Sequence, residues 1–94
     1  MGGRSRYRTG RRFEVRVRAA LERDGWLVLR AAGSKGPADL VALRRGRRPV
    51  LVACSVSGVR PPARRTLVQA ARKSGARAVA ARRSGRGILM EELR

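Results

Sequence analysis

This chain of 94 residues has few of the residue types from which metal centres and large cores are built: no histidine, one cysteine and only 3% aromatic residues. Because Cys54 is alone and histidine is absent, a structural zinc site is excluded, and so is an internal disulfide. A lone cysteine is typical of proteins in a reducing compartment. No apolar run approaches the roughly 20 residues that span a membrane, and no secretory leader is recognisable, so we expect a cytoplasmic protein.

Acidic residues are also scarce. The chain carries 24 Lys and Arg against six Asp and Glu, for a formal net charge of +18. The basic residues run from Arg4 to Arg94, so the whole domain is basic, and such a surface attracts nucleic acid. All of them except Lys35 and Lys73 are arginine. A GC-rich coding bias explains the choice of arginine over lysine but not the shortage of acids.

The pattern along the chain predicts one domain over residues 10–94, preceded by a flexible, basic arm over residues 1–9. A helix is predicted over residues 10–24, because Phe13, Val17 and Leu21 recur on one helical face. Gly25 is expected to end this helix.

The remainder predicts an α/β fold. Strands are expected at residues 26–32, 40–43, 49–56, 76–81 and 87–91, and a second helix at residues 61–74. The third strand is apolar throughout, which is typical of a central strand buried on both faces. The predicted element order is therefore αβββαββ, a mixed β-sheet flanked by helices.

Asp39 is the most informative residue. It follows a glycine-rich turn and begins an apolar strand, in the segment GSKGPADLVAL at residues 33–43. A lone carboxylate among arginines could simply be an ion-pair partner. Held beside Ser34 and Lys35, it could instead bind a divalent metal near a phosphate.

Together with the helical Glu14, the segment from Gly25-Trp26 into residues 30–42 resembles the archaeal-type Holliday junction resolvases, a branch of the PD-(D/E)XK nuclease superfamily. The resemblance covers roughly residues 10–93, and residues 33–39 are its specific part. It implies a restriction-endonuclease-like sheet and a metal-dependent endonuclease that acts on branched DNA, typically a four-way junction. It also implies a homodimer, and a bacterial, archaeal or phage-encoded protein.

The resemblance also implies roles for individual residues. Asp39 and Glu14 match carboxylates that hold Mg²⁺ (or Mn²⁺), and Ser34 matches a serine close to the active site. The backbone carbonyl of Cys54 matches a third metal ligand. The chain departs from the family where a Glu/Asp-x-Lys motif is expected, because these positions read Ala53-Cys54-Ser55. Lys35 could replace the missing lysine from another direction.

Each of these residues also has an ordinary structural interpretation. Glu14 could pair with neighbouring arginines on its helix, and Ser34 could stabilise a turn. Lys35 could contact a phosphate as a point charge, and Cys54 could be a small buried apolar residue. Neither set of interpretations is excluded by the sequence.

The arginines are suited to backbone phosphate contacts, because a guanidinium can bind two phosphate oxygens at once. Three functions remain open: a metal-dependent endonuclease, a nuclease-like protein that binds junction or duplex DNA without cleaving it, and a basic RNA-binding structural protein. The residues predicted to contact DNA are Arg8, Arg11, Arg12, Arg16, Arg30, Lys35, Arg60, Arg64 and Arg65.

Overall fold

The computed structural model describes residues 2–31 and 36–94, with side chains from residue 10 onward. The predicted order αβββαββ is confirmed. No helix in these two ranges is both long and apolar enough to cross a membrane. The elements are α1 (Gly2–Arg23), β1 (Leu27–Arg30), β2 (Leu40–Leu43), β3 (Val50–Cys54), α2 (Pro61–Ser74), β4 (Arg77–Ser84) and β5 (Gly87–Leu93).

The first helix begins earlier than the sequence predicts. The helix start expected at residue 10 is wrong, because α1 already begins at Gly2. A glycine inside a helix costs only about 1 kcal/mol relative to alanine, so Gly10 alone does not stop it. The helix ends as predicted before Gly25, whose φ of 96° lies in the left-handed region.

The five strands form one mixed sheet in the order β1-β2-β3-β4-β5. The pairs β1–β2, β2–β3 and β4–β5 are antiparallel, whereas β3 and β4 are parallel and are connected through α2. The apolar third strand is central, as predicted. Because β3 and β4 run in the same direction, the end of β3 and the β4–β5 turn lie at one end of the sheet, and the β2–β3 turn lies at the other. We call these the Asp39 end and the far end.

The two helices cover opposite faces of the sheet. On one face, Phe13, Val17 and Leu21 of α1 pack in a cluster that includes Val28 and Val52. The other face forms a separate cluster around α2, which contains Leu67, Ala71, Ala38, Ala53 and Ala78. Leu67 is fully buried. This second core is largely alanine, so α2 lies close to β3 and β4.

Candidate active site and DNA-contact surface

Asp39 is fixed at the start of β2 by both its backbone and its side chain. Its N–H donates to the Val52 carbonyl over 2.8 Å, and its own carbonyl accepts from the Ala31 N–H over 2.9 Å. Its carboxylate oxygen Oδ2 accepts the backbone N–H of Cys54 over 2.7 Å. The carboxylate is therefore held at the end of β3 and has little freedom to turn away.

A cleft of about 350 Å³ opens beside this carboxylate, on the α2 side of β3. Asp39, Ala53 and Ser55 all contribute to its wall, and so does Arg60 at the start of α2. The residues that stand in the Glu/Asp-x-Lys positions thus face the same space as Asp39. Ala53 is 6% exposed and has no side-chain donor or acceptor. The wall opposite Asp39 therefore lacks both the second carboxylate and the lysine.

Glu14 reaches the Asp39 end from α1. Its carboxylate oxygen Oε1 lies 2.8 Å from Arg30 Nε and 3.4 Å from Arg11 Nη1. The Glu14 side chain is 16% exposed, so these charges are only partly screened by water. Glu14 thus forms an ion pair with Arg30, the last residue of β1, which lies sixteen residues further along the chain.

Cys54 lies close enough to both carboxylates to be affected by their charge. Burial, then the negative charge of Asp39 and then that of Glu14, raise the pKa of the Cys54 thiol to about 12. A thiol with a raised pKa is a poor nucleophile at neutral pH, which favours the interpretation of Cys54 as a small apolar residue.

The donor set suits a hydrated divalent ion better than a fully enclosed one. Among residues 2–31 and 36–94, no three His, Cys, Asp or Glu side chains come close enough together to hold a metal. Magnesium, however, is usually bound through one or two carboxylates plus substrate phosphates and keeps several waters. The Asp39 carboxylate suits such a site, whereas the Glu14 carboxylate is paired with Arg30.

Three of the predicted site residues cannot be placed. Ser34 and Lys35 lie outside the described residues, and the same is true of the Arg8 side chain. Their roles remain predictions.

The other predicted DNA-contact residues fall into two groups. Arg11, Arg12, Arg16, Arg30 and Arg60 lie around the Asp39 end. Arg64 and Arg65 line a groove between α2 and β5 instead. Arg64 is also engaged within the fold, since it donates to the Val59 carbonyl and pairs with Glu91 at 2.9 Å.

Sequence reasoning did not single out Arg83. It shares a cleft with Arg12 and Arg16, although it lies about seventy residues away on β4. Only the register of the β4–β5 hairpin, which pairs Arg83 with Ile88, brings its side chain to this cleft. The sequence signals this region only through three arginines, Arg82, Arg83 and Arg86, that lie close together along the chain.

Comparison with known proteins gives a consistent result. No protein-family model matches the chain. The crossover junction endodeoxyribonuclease Hjc of Methanocaldococcus jannaschii is 49% identical over 43 residues, which make up 46% of this chain and 32% of that protein. The match therefore spans about a third of the curated relative's length.

The fold gives a longer match. The structure of Hjc from Archaeoglobus fulgidus, described as a Holliday junction resolvase from an archaeal hyperthermophile, superposes with a TM-score of 0.72 and 27% identity. The superposition covers 88% of this chain and 76% of that one. The predicted resemblance is thereby confirmed: in sequence and in fold, this chain is similar to the archaeal-type Holliday junction resolvases.

Proposed function

We propose that this protein is a Holliday junction resolvase-like DNA-binding protein, a structure-specific endonuclease that acts on four-way junctions or other branched duplex DNA. The observation that carries the proposal is the Asp39 carboxylate, which the Cys54 N–H holds at the mouth of a cleft within an arginine-rich, resolvase-like fold. We also propose that the protein acts in the cytoplasm and that it is bacterial, archaeal or phage-encoded.

The charge of the fold supports binding through the DNA backbone. Arg60 lines the cleft next to Asp39, and Arg30 lies at the end of β1 beside Glu14. If the scissile phosphate lies at Asp39, the guanidinium groups at these two positions can bind the neighbouring phosphates on either side of it. Contacts with backbone phosphates depend on the shape of the duplex arms and not on the base sequence, which suits the recognition of a branched substrate.

Asp39, Glu14 and the Cys54 carbonyl are the groups that would hold Mg²⁺ or Mn²⁺. When bound, the ion would neutralise charge on the scissile phosphate and activate a water molecule. Asp39 contributes a carboxylate that is already oriented, since one oxygen is fixed to Cys54. Ser34 and Lys35 complete the proposed catalytic set, with Lys35 supplying a positive charge near the phosphate.

The substrate argues for a homodimer. A four-way junction has two-fold symmetry, so symmetric cleavage needs two equivalent sites. A chain of 94 residues with an alanine-rich second core also benefits from the extra burial that dimerisation provides. We propose that residues 10–94 form the nuclease-like domain and that basic residues 1–9 extend its DNA contacts.

A second function is favoured by one specific observation. Ala53 and Ser55 face the Asp39 cleft where the family motif supplies a carboxylate and a lysine. Loss of both groups removes a metal ligand and the charge that orients the attacking water. The second candidate is therefore a protein that binds junctions or duplex DNA without cleaving them.

One experiment separates the two. A labelled four-way junction is incubated with the wild type, with Asp39→Asn and with the matched control Asp24→Asn, in Mg²⁺, in Mn²⁺ and in EDTA. Asp24 is a suitable control because its carboxylate, like that of Asp39, accepts one hydrogen bond. The donor is the Trp26 indole N–H, over 3.3 Å, and Asp24 lies at the far end of the sheet.

Paired symmetric nicks that need the metal, vanish in Asp39→Asn and persist in Asp24→Asn are the expected result for the endonuclease. Tight junction binding in EDTA with no nicks under any condition would establish the second candidate. Equal affinity for linear duplex and junction, with no nicks, would overturn the structure-specific endonuclease and leave the second candidate. A preference for structured RNA over both DNAs would overturn both.

A further inference from the structure

A second cleft, separate from the Asp39 cleft, opens on the α1 side of β3. It measures about 330 Å³ and is lined by Arg12, Phe13, Arg16, Val56 and Arg83. Three of its five lining residues are therefore arginines, and none is acidic. The cleft combines a buried apolar floor, since Phe13 is 3% exposed, with a strongly cationic rim.

The arginines of this cleft differ from those whose charge is neutralised within the fold. Arg30, Arg64 and Arg77 each form an ion pair with a glutamate. Within residues 10–31 and 36–94, no such pair is formed by any of the three arginines around this cleft. Guanidinium groups that converge without a carboxylate repel one another, and an anion relieves that repulsion.

The cleft walls are held together by contacts between distant segments. Arg16 Nη2 donates to the Arg86 carbonyl over 2.7 Å, which ties α1 to the β4–β5 turn. The Arg83 N–H donates to the Val56 carbonyl over 3.2 Å, which ties β4 to the segment after β3. Arg16 keeps further donors after this bond, because a guanidinium has five. The Arg16 side chain and the Arg83 backbone are therefore already held in place, which lowers the entropic cost of binding a ligand there.

The two clefts are adjacent. Ser55 lines the Asp39 cleft, and the next residue, Val56, lines the arginine cleft. A sugar–phosphate backbone that leaves Asp39 can therefore pass around the end of β3 and meet the second cleft. Planar guanidinium groups, which can donate two hydrogen bonds side by side, favour a phosphate group as the ligand.

Resting on the proposed function, we propose that Arg12, Arg16 and Arg83 form a second backbone-phosphate site. This arginine clamp binds DNA next to the strand held at Asp39 and orients it across the end of β3. It contributes to affinity and positioning and takes no part in the reaction itself.

The test measures binding of a labelled four-way junction by fluorescence anisotropy over a series of NaCl concentrations, in EDTA. Arg83→Gln is compared with the wild type and with Arg45→Gln, which removes the same charge from the exposed β2–β3 turn at the far end. Far-UV circular dichroism checks that each variant is folded. Arg12→Gln serves as a second clamp variant, because no hydrogen bond within the described part of the chain depends on the Arg12 side chain.

Loss of one phosphate contact is expected to lower the slope of log affinity against log salt by about 1 and to weaken binding uniformly across DNA sequences. Arg45→Gln should leave the slope near that of the wild type. Arg83→Lys should restore the slope, because the ammonium keeps the charge, but it should recover the affinity only in part, because it lacks the bidentate fork.

Two failures can be told apart. If the wild type binds no junction, the proposed function fails, and the clamp fails with it. If the wild type binds but Arg83→Gln and Arg12→Gln match Arg45→Gln in slope and affinity, only the clamp is overturned. Full recovery of the junction affinity in Arg83→Lys would show that only the charge matters and not a geometrically defined site, and would also overturn the clamp.

Discussion

Asp39 links two strands through its side chain, so removing its carboxylate should cost stability as well as function. Its Oδ2 accepts the Cys54 N–H over 2.7 Å at a partly buried position. A hydrogen bond to a charged group contributes about 1.5–3 kcal/mol, and a stranded donor costs a similar amount. We expect Asp39→Ala to lower the free energy of unfolding by about 2 kcal/mol. In a domain of this size, that corresponds to a fall in Tm of about 8–16 °C.

Asp39→Asn separates the two roles of this residue. The asparagine carbonyl can still accept the Cys54 N–H, so we expect a loss of less than about 1 kcal/mol, since a neutral bond replaces a charge-assisted one. Metal-dependent nicking should nevertheless disappear, because the negative charge is gone. A DNA-cleavage assay on Asp39→Ala alone would confound loss of chemistry with loss of fold.

Urea denaturation, followed by the fluorescence of the single tryptophan, Trp26, and by far-UV circular dichroism, measures both variants. The m-value should not change, because the surface exposed on unfolding is the same. An Asp39→Ala protein as stable as the wild type would refute the hydrogen bond to Cys54. An Asp39→Asn protein as unstable as Asp39→Ala would show that charge, and not the bond, stabilises this end of the sheet.

Three further predictions concern the rest of the fold. Because the thiol pKa is raised to about 12 from 9.0, Cys54 should react with iodoacetamide at pH 8 roughly a thousandfold more slowly than an exposed cysteine. In the unfolded chain the Cys54 thiol loses its proton at lower pH than in the folded protein, so the free energy of unfolding should fall as the pH rises above about 9. Urea denaturation at several pH values tests this. An equal fall in Cys54→Ala would contradict it. Leu67→Ala should cost about 2–5 kcal/mol while the 62%-exposed Leu27→Ala changes stability by less than about 0.5 kcal/mol, and equal melting temperatures would refute the assignment of the second core. Gly25→Ala should destabilise by about 1 kcal/mol or more, since φ is 96° and the new Cβ would lie 3.1 Å from the Arg44 guanidinium; an unchanged melting temperature would speak against this turn.

The periodic and apolar patterns were sufficient for the architecture. Phe13, Val17 and Leu21 predicted the buried face of α1, and the unbroken apolar run of β3 predicted a central strand. The start of α1 was not predictable, because a helix boundary depends on a small balance of propensities that Gly10 alone does not decide. Strand ends shifted by a few residues for the same reason, most visibly in β4, which extends to Ser84.

The site was predictable only in part. The turn before Asp39 gave its place at the start of β2, and its relation to Ala53 followed from the strand order. The pairing of Glu14 with Arg30 depends on how α1 crosses β1, and the arginine cleft depends on the register of a hairpin far along the chain. These are tertiary distances with no local signature, and in a chain with so many arginines composition cannot distinguish one from another.

Some arginine side chains also stabilise the fold by hydrogen bonding to backbone carbonyls. Arg44 donates to the Asp24 carbonyl at the end of α1 over 2.6 Å, and Arg48 donates to the Gly75 and Ala76 carbonyls after α2 over 3.1 Å each. Both arginines belong to the β2–β3 turn. This one short loop therefore bonds to the C-terminal ends of both helices, which lie on opposite faces of the sheet. A protein with lysine in place of every arginine would keep its charge and could still attract polyanions. It would, however, lose the guanidinium hydrogen bonds to the carbonyls that follow the two helices. The abundance of arginine therefore overstates how many positive groups are available to a ligand, and titrating nucleic acid should reveal fewer contacts than the composition suggests.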